Sequence, residues 1–297
     1  MKCDICPRHC MADRKTKFGV CGSGITPRIA RAALHHWEEP CISGKRGSGT
    51  VFFTGCALRC VFCQNHEISA VRPQDKELPG IEADTPELIR IFHDLRDQGA
   101  HNINLVTADH YIPEIAKAVK EARYEGFDLP FIFNCSGYET VQSLKMLEGL
   151  IDIYLPDFKY AEKTLAKELS NAEDYPDVAA AALSEMVRQR PECIFDEEGM
   201  IKKGVIVRNM LLPKHVLNSK KVLKYLHETY GDQIFISIMS QYTPTANVPD
   251  EHPELKRKVS KKEYDKLTDY ALKLGIENAY IQDLSSSDTG FIPDFQL

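Results

Sequence analysis

From residue 50 onward, short apolar runs alternate with longer amphipathic stretches, and this alternation restricts the fold more than any other feature of the chain. Residues 50–54 (TVFFT), 102–107 (NINLVT), 131–134 (FIFN), 151–155 (IDIYL), 205–211 (VIVRNML) and 234–239 (IFISIM) read as buried strands. Residues 193–195 and 205–211 flank Asp196-Glu197-Glu198-Gly199, which predicts a hairpin or an irregular excursion. Thr85-Pro86-Glu87 opens a helix whose inward face is Leu88, Ile91, Phe92 and Leu95, and Gly99 stops it. Pro113 opens a second helix with Ile115, Ala116 and Val119 inward, ended by Gly126. Further helices are expected over 139–148, over 161–189 with a break near Tyr175-Pro176, from a cap at Asn218 to Tyr230, and over 261–274. Six strands separated by helices imply βαβ units, a parallel sheet and an α/β fold. Periodicity does not separate an open doubly wound sheet from a barrel, but both gather functional groups at the C-terminal ends of the strands.

Residues 1–48 lack that periodicity and read as a small cysteine-rich, metal-binding extension ahead of a domain over 49–297. A glycine-rich connector, Ser43-Gly44-Lys45-Arg46-Gly47-Ser48-Gly49, closes it. No apolar run approaches the ~20 residues that a transmembrane helix needs. The opening MKCDICPRHC has no apolar stretch, so no secretory signal, no membrane partner and a cytoplasmic location are expected. The net charge of −6, without a basic run, argues against nucleic acid as a partner.

Ten cysteines in a reducing compartment point away from disulfides. Cys3, Cys6, Cys10 and Cys21 form one group and Cys56, Cys60 and Cys63 another, which is the distribution of metal ligands. The second group reads Gly55-Cys56-Ala57-Leu58-Arg59-Cys60-Val61-Phe62-Cys63 on the loop after the first strand. Three thiolates spaced this closely can hold three irons of a [4Fe–4S] cluster and leave the fourth open, which marks chemistry rather than scaffolding. A zinc site would want four ligands in paired short spacings.

The run Cys56-x3-Cys60-x-Phe62-Cys63 resembles the signature of the radical S-adenosylmethionine (SAM) superfamily. Residues 49–69 (GTVFFTGCALRCVFCQNHEIS) and 154–159 (YLPDFK) are similar to relatives of the pyruvate formate-lyase activating enzyme, the glycyl-radical-enzyme activases, and the likeness extends over most of the chain. The resemblance implies a partial (β/α)6 barrel. It also implies an oxidoreductase in which SAM chelates the open iron through its amino and carboxylate groups. One electron from the cluster then cleaves SAM to methionine and a 5′-deoxyadenosyl radical that abstracts hydrogen from a protein or peptide. The implied reductant is flavodoxin or ferredoxin. By position, Phe62 lies beside adenine and the strand end from Asn104 through Thr107 to Asp109 meets the methionyl end, with Asp109 on the ammonium. Asn134 reaches the ribose or carboxylate, and Lys159, next to Asp157, pairs with the carboxylate; the other reading of Asp157 and Lys159 is an exposed ion pair. Activases carry Gly-Gly-Glu where this chain has Thr107-Ala108-Asp109, so radical chemistry on a small molecule or a peptide side chain stands beside the activase reading. A non-catalytic zinc or iron–sulfur protein is the rival class.

Arg208 sits within a strand, where a buried guanidinium needs a partner, either a ligand carboxylate or an acidic neighbour. Gln241 follows the last strand and faces the expected cavity, and His110 follows the second. Cys3-x2-Cys6-x3-Cys10-x10-Cys21 suits an auxiliary [4Fe–4S] cluster that relays electrons or anchors substrate, or else a structural zinc, with Cys41 able to replace a ligand. Cys135 and Cys193 read as buried small hydrophobes. His35-His36-Trp37-Glu38-Glu39 either lines a partner surface or packs the extension on the barrel.

Overall fold

The structure, a computed structural model, describes residues 2–71, 78–283 and Phe295. In chain order the elements are β1 (Arg28–His35), α1 (Pro40–Ser43), β2 (Ser48–Phe53), α2 (His66–Ser69), β3 (Ile81–Glu82), α3 (Thr85–Asp97), β4 (Ile103–Val106), α4 (Ile112–Tyr124), β5 (Phe131–Cys135) and α5 (Val141–Lys145). There follow β6 (Ile153–Pro156), α6 (Lys163–Ser170), α7 (Tyr175–Gln189), β7 (Ile194–Phe195), β8 (Ile201–Met210), α8 (Val216–Tyr230), β9 (Phe235–Met239), α9 (Lys261–Leu274) and β10 (Ala279–Ile281).

One sheet runs in the order β10-β9-β8-β6-β5-β4-β2-β1-β3. From β2 to β10 the pairings are parallel, as expected when helices cross between strands. Strands β2, β4 and β6 are buried at every residue, so both faces of the sheet are covered and the strands read as continuous apolar runs. The strand ends from β2 round to β10 line one cavity, which requires the sheet to curl into a partial barrel. Helix signals worked locally. Asp84 caps α3 by accepting from the Glu87 amide at 3.1 Å, and Ser260 with Glu263 forms a capping box on α9.

Within the bounds 1–48, Arg28–His35 forms β1, which pairs antiparallel with β2 and joins the sheet. Two sequence expectations change. Asn218 does not cap α8, which starts two residues earlier. Its amide donates to the Lys159 carbonyl and its oxygen accepts from the Ala161 amide, both at 2.9 Å, tying down the loop after β6. The helix expected over 139–148 is regular only over Val141–Lys145. The 161–189 segment breaks as expected, with Asn171 left-handed at the end of α6 and Pro176 in the first turn of α7. Residues 194–203 do form a hairpin.

Candidate functional site

The strand ends enclose a cavity of about 580 Å³. Cys56, Cys60 and Cys63 line it together. Their loop turns through two left-handed residues, Gly55 (φ +94°) and Arg59 (φ +55°). Only glycine suits the first: a Cβ there would lie 2.2 Å from Ser23 Oγ and 2.7 Å from the Cys21 carbonyl oxygen. Arg59 is held by donating to the carbonyls of Val20, Ala70 and Val71 at 2.9–3.2 Å. Ser69 Oγ donates to Cys63 Sγ at 3.2 Å.

Burial pushes the Cys56 thiol up, and the neighbouring Cys60 and Cys63 add like charge. Cys63 is raised by burial against the opposing pull of the Ser69 hydroxyl and the Lys159 ammonium. The buried Cys56 and Cys63 thiols resist ionising, and a metal centre supplies the cation that makes them thiolates. Burial alone would push Lys159 down, but Asp157 and the thiolates of Cys60 and Cys63 hold it above its ordinary value. It therefore stays charged at the edge of the cysteine set.

Among the described residues, the group of three His, Cys, Asp or Glu side chains with ligand atoms all within 4.8 Å of one another is Asp109, Cys135 and Glu139. Three soft thiol donors lining one cavity fit a cluster that leaves one iron open.

Phe62, Thr107, Asn134, Asp157, Lys159, Arg208 and Gln241 line the same cavity as the cysteines. The Phe62 ring stands edge-on to Tyr160 and Tyr242, each with ring centres 6.4 Å away. Thr107 has φ +59°, a left-handed conformation that disfavours a β-branched residue and costs of order 1–3 kcal/mol. Asp157 and Lys159 form an ion pair that is largely buried, not exposed. Gln241 Oε1 accepts from Gln282 Nε2 at 2.9 Å.

Two expected contacts do not line the cavity, and a third is already committed. The Asn104 amide donates to Glu38 Oε1 at 2.9 Å from a fully buried position. Asp109 lies beside Glu139, and both accept from Ser136 Oγ; burial and the second carboxyl raise its pKa, so it is not a free carboxylate waiting for an ammonium. Arg208 donates to Glu39 Oε1 at 2.9 Å and also bonds Glu39 Oε2 and Glu38 Oε2, so the acidic neighbour, not a ligand carboxylate, is its partner. His110 is structural: its Nε2 meets the Thr54 carbonyl at 2.9 Å, and burial pushes its pKa to about 3. Cys41 lies in a separate apolar cluster with Ile42, Ile132 and Ile206.

Glu38 and Glu39 are cavity residues that sequence reasoning left on a surface or a packing face. Pro40 right after them, opening α1, was the available signal that the chain turns inward there.

The N-terminal cysteines also come together. A Cβ on Gly19 would lie 3.3 Å from Cys21 Sγ and 3.5 Å from Cys10 Sγ. Burial pushes the Cys6 thiol up to about 12, with the Arg8 amide opposing and Cys21, Cys3 and Cys10 adding like charge. Cys6 and Cys21 pack on Ala57 of the cluster loop, and the Cys56 amide donates to the Cys21 carbonyl at 3.1 Å.

Comparison with known proteins agrees with this geometry. Residues 50–190 match the radical SAM superfamily. The chain is 29% identical over 281 residues to an uncharacterized protein of Methanocaldococcus jannaschii, covering 94% of this chain and 76% of that one. Among solved structures it resembles HydG, a maturase of the [FeFe]-hydrogenase (TM-score 0.53, 16% identity, 82% of this chain and 53% of that one). It also resembles Streptococcus suis SuiB bound to S-adenosylmethionine (TM-score 0.50, 12% identity, 77% of this chain and 48% of that one). The chain thus spans about half the length of these solved structures, and at such identities the likeness is one of fold. No helix among the described residues is long and apolar enough to cross a membrane. Cysteine loop, curled parallel sheet and sequence match agree in setting residues 50–190 beside the radical SAM superfamily.

Proposed function

We propose that the chain is a radical SAM enzyme that abstracts hydrogen from a protein or peptide substrate, with Cys56, Cys60 and Cys63 as the cluster ligands. The observation that carries the reading is the convergence of these three thiols on one cavity. When bound, cluster and SAM supply a 5′-deoxyadenosyl radical and methionine from one electron and the sulfonium C–S bond. Everything else is the work of this chain's side chains. Lys159 offers a positive charge to the SAM carboxylate while Asp157 keeps it oriented. Phe62 offers an apolar ring to adenine. Gln241 and Asn134 offer polar contacts to ribose or carboxylate. Phe52, Phe53 and Val106 keep the wall beside the radical apolar, so that it meets substrate rather than solvent.

The volume favours a macromolecular substrate. A cavity of about 580 Å³ suits one drug-sized ligand. With SAM at its cysteine end, the remainder admits a side chain or a glycyl loop more readily than a second whole metabolite. A glycyl-radical enzyme is one such substrate; a peptide side chain is the other.

The test is anaerobic iron–sulfur reconstitution, reduction with dithionite and assay of SAM products by mass spectrometry. The wild type should release 5′-deoxyadenosine and methionine, and Cys60→Ala should release neither. An intact cluster with no product would reject catalysis. Deuterium appearing in 5′-deoxyadenosine from a labelled candidate protein would identify the substrate.

A further inference from the structure

The N-terminal knot has features that the radical site does not explain. Its four cysteines are graded in depth: Cys3 and Cys10 are half-buried, whereas Cys6 and Cys21 are buried against the cluster loop. The chain winds back on itself to gather them. The Cys3 amide donates to the Ala12 carbonyl at 2.8 Å, Met11 donates to the Cys3 carbonyl at 3.1 Å, and His9 and Met11 both take left-handed φ values. Two strained residues flanking Cys10 indicate a backbone shaped around something the sulfurs hold.

The knot is also fastened to the radical site by backbone. Arg8 donates to the carbonyls of Ala57 at 2.9 Å and Leu58 at 3.2 Å, residues that lie between Cys56 and Cys60. The Cys21 carbonyl accepts from the Cys56 amide, so one cysteine of each set shares a single hydrogen bond. Gly55 permits that approach, since any side chain there would strike the Cys21 carbonyl.

The outer surface has its own character. Met11, Phe18, Val20 and Ile25 are exposed, as are Lys2, Lys15 and Lys17. On this face the exposed ions among residues 2–28 are Lys2, Lys15 and Lys17 against Asp4, a local excess of positive charge on a chain of net charge −6. Apolar side chains interspersed with lysines suit brief docking of an acidic protein.

We infer that Cys3, Cys6, Cys10 and Cys21 hold a second [4Fe–4S] cluster that is the electron port of the enzyme, loaded by an acidic one-electron carrier of the flavodoxin or ferredoxin class docking on this surface. One electron leaves the reduced carrier and converts the knot's cluster from the 2+ to the 1+ state. The same electron then moves through Cys21, its carbonyl and the Cys56 amide to the cluster on the loop, returning the first to 2+. No proton or bond is exchanged. The inference rests on the proposed radical chemistry only for the electron's destination.

The test uses the full chain reconstituted anaerobically as wild type, as Cys3→Ser/Cys10→Ser, and as Cys56→Ala/Cys60→Ala/Cys63→Ala. Iron should be about eight per chain in the wild type and about four in each variant. A single zinc with about four irons in the wild type would overturn the second cluster. With dithionite, a small reductant, Cys3→Ser/Cys10→Ser should form 5′-deoxyadenosine as the wild type does; with reduced flavodoxin its rate should fall about tenfold or more. An equal rate with flavodoxin, or an equal fall with both reductants, would overturn the relay. Lys15→Glu/Lys17→Glu should keep its iron and lose rate only with flavodoxin, most at low salt. A flavodoxin-driven rate equal to that of the wild type would overturn the docking surface. In the triple variant, which has no radical site, reduced flavodoxin should still produce the electron paramagnetic resonance signal of the remaining cluster. Silence there overturns the port even if SAM cleavage succeeds, and a signal there upholds it even if SAM cleavage fails.

Discussion

Replacing Arg208 with methionine should unfold the cavity wall rather than weaken SAM binding. Side-chain exposure is 10% at Arg208, 9% at Glu38 and 5% at Glu39, so the three form a nearly dry ion cluster with one excess negative charge. Removing the guanidinium leaves two carboxylates buried without a countercharge, a loss of about 3–5 kcal/mol. At about 2–4 °C per kcal/mol for a chain approaching this size, the apparent melting temperature should drop by about 6–20 °C. The pH dependence has a definite sign. Burial works against ionisation of Glu39, but Arg208 and the Ser237 hydroxyl hold its pKa below the ordinary value. In the wild type that contribution is present above the ordinary carboxyl range and fades as pH falls through it. In Arg208→Met the stranded carboxylates instead take up protons, and acid relieves the penalty. The gap between the two proteins should therefore be widest at pH 8 and narrower at pH 5, and Glu39→Gln should recover part of it. Thermal melts of anaerobic protein at the two pH values measure this. A loss below about 1 kcal/mol, as for an exposed pair, would refute the reasoning. So would an equal loss at both pH values, or unchanged stability with SAM affinity abolished.

Other perturbations separate the roles of neighbouring residues. Gly55→Ala, which drives a methyl into Ser23 Oγ and the Cys21 carbonyl, should destabilise by about 2–4 kcal/mol and loosen the N-terminal knot; proteolysis within residues 1–28 of the folded protein reports it. Lys159→Met should retain the cluster and raise the SAM dissociation constant about tenfold or more, read by titration of the reduced protein. Asp109 is raised by burial and by Glu139, and Glu139 by burial against the hydrogen bonds it makes to Asp109 and Ser136, so the folded pair keeps a proton that the unfolded chain releases. Stability should fall as pH rises above the ordinary carboxyl range of about 4, and Asp109→Asn should flatten that fall and be the more stable protein at pH 8. A steeper fall in Asp109→Asn would contradict the shared proton.

The features the sequence made plain are local ones. The parallel strands announce themselves because residues such as Val51, Ile103, Leu105 and Phe133 are buried on both faces and leave no polar alternation. The loop from Cys56 to Cys63 needs only its own spacing. What stayed hidden depends on distant parts of the chain. Arg208 and its glutamates are 169 and 170 residues apart, and nothing near Arg208 names its partner. Asp109 follows a strand end exactly as a ligand would, yet Glu139 claims it through the fold. Strand β1 (RIARAALH) alternates poorly and pairs antiparallel with both its neighbours, unlike the parallel strands from β2 to β10, so its pattern resembled an extension. Asn218 looks like a cap by sequence, but the loop after β6 offers its amide better partners.

The account stands on the loop cysteines leaving one iron of their cluster open to SAM. The most direct measurement is electron paramagnetic resonance of the dithionite-reduced Cys3→Ser/Cys10→Ser protein, which isolates the loop cluster, recorded with and without SAM. A changed spectrum on addition of SAM, absent with 5′-methylthioadenosine, which lacks the chelating amino and carboxylate groups, is the expected result. Superimposable spectra from an intact cluster would mean that its fourth iron is closed, and the function proposed for this chain would be wrong.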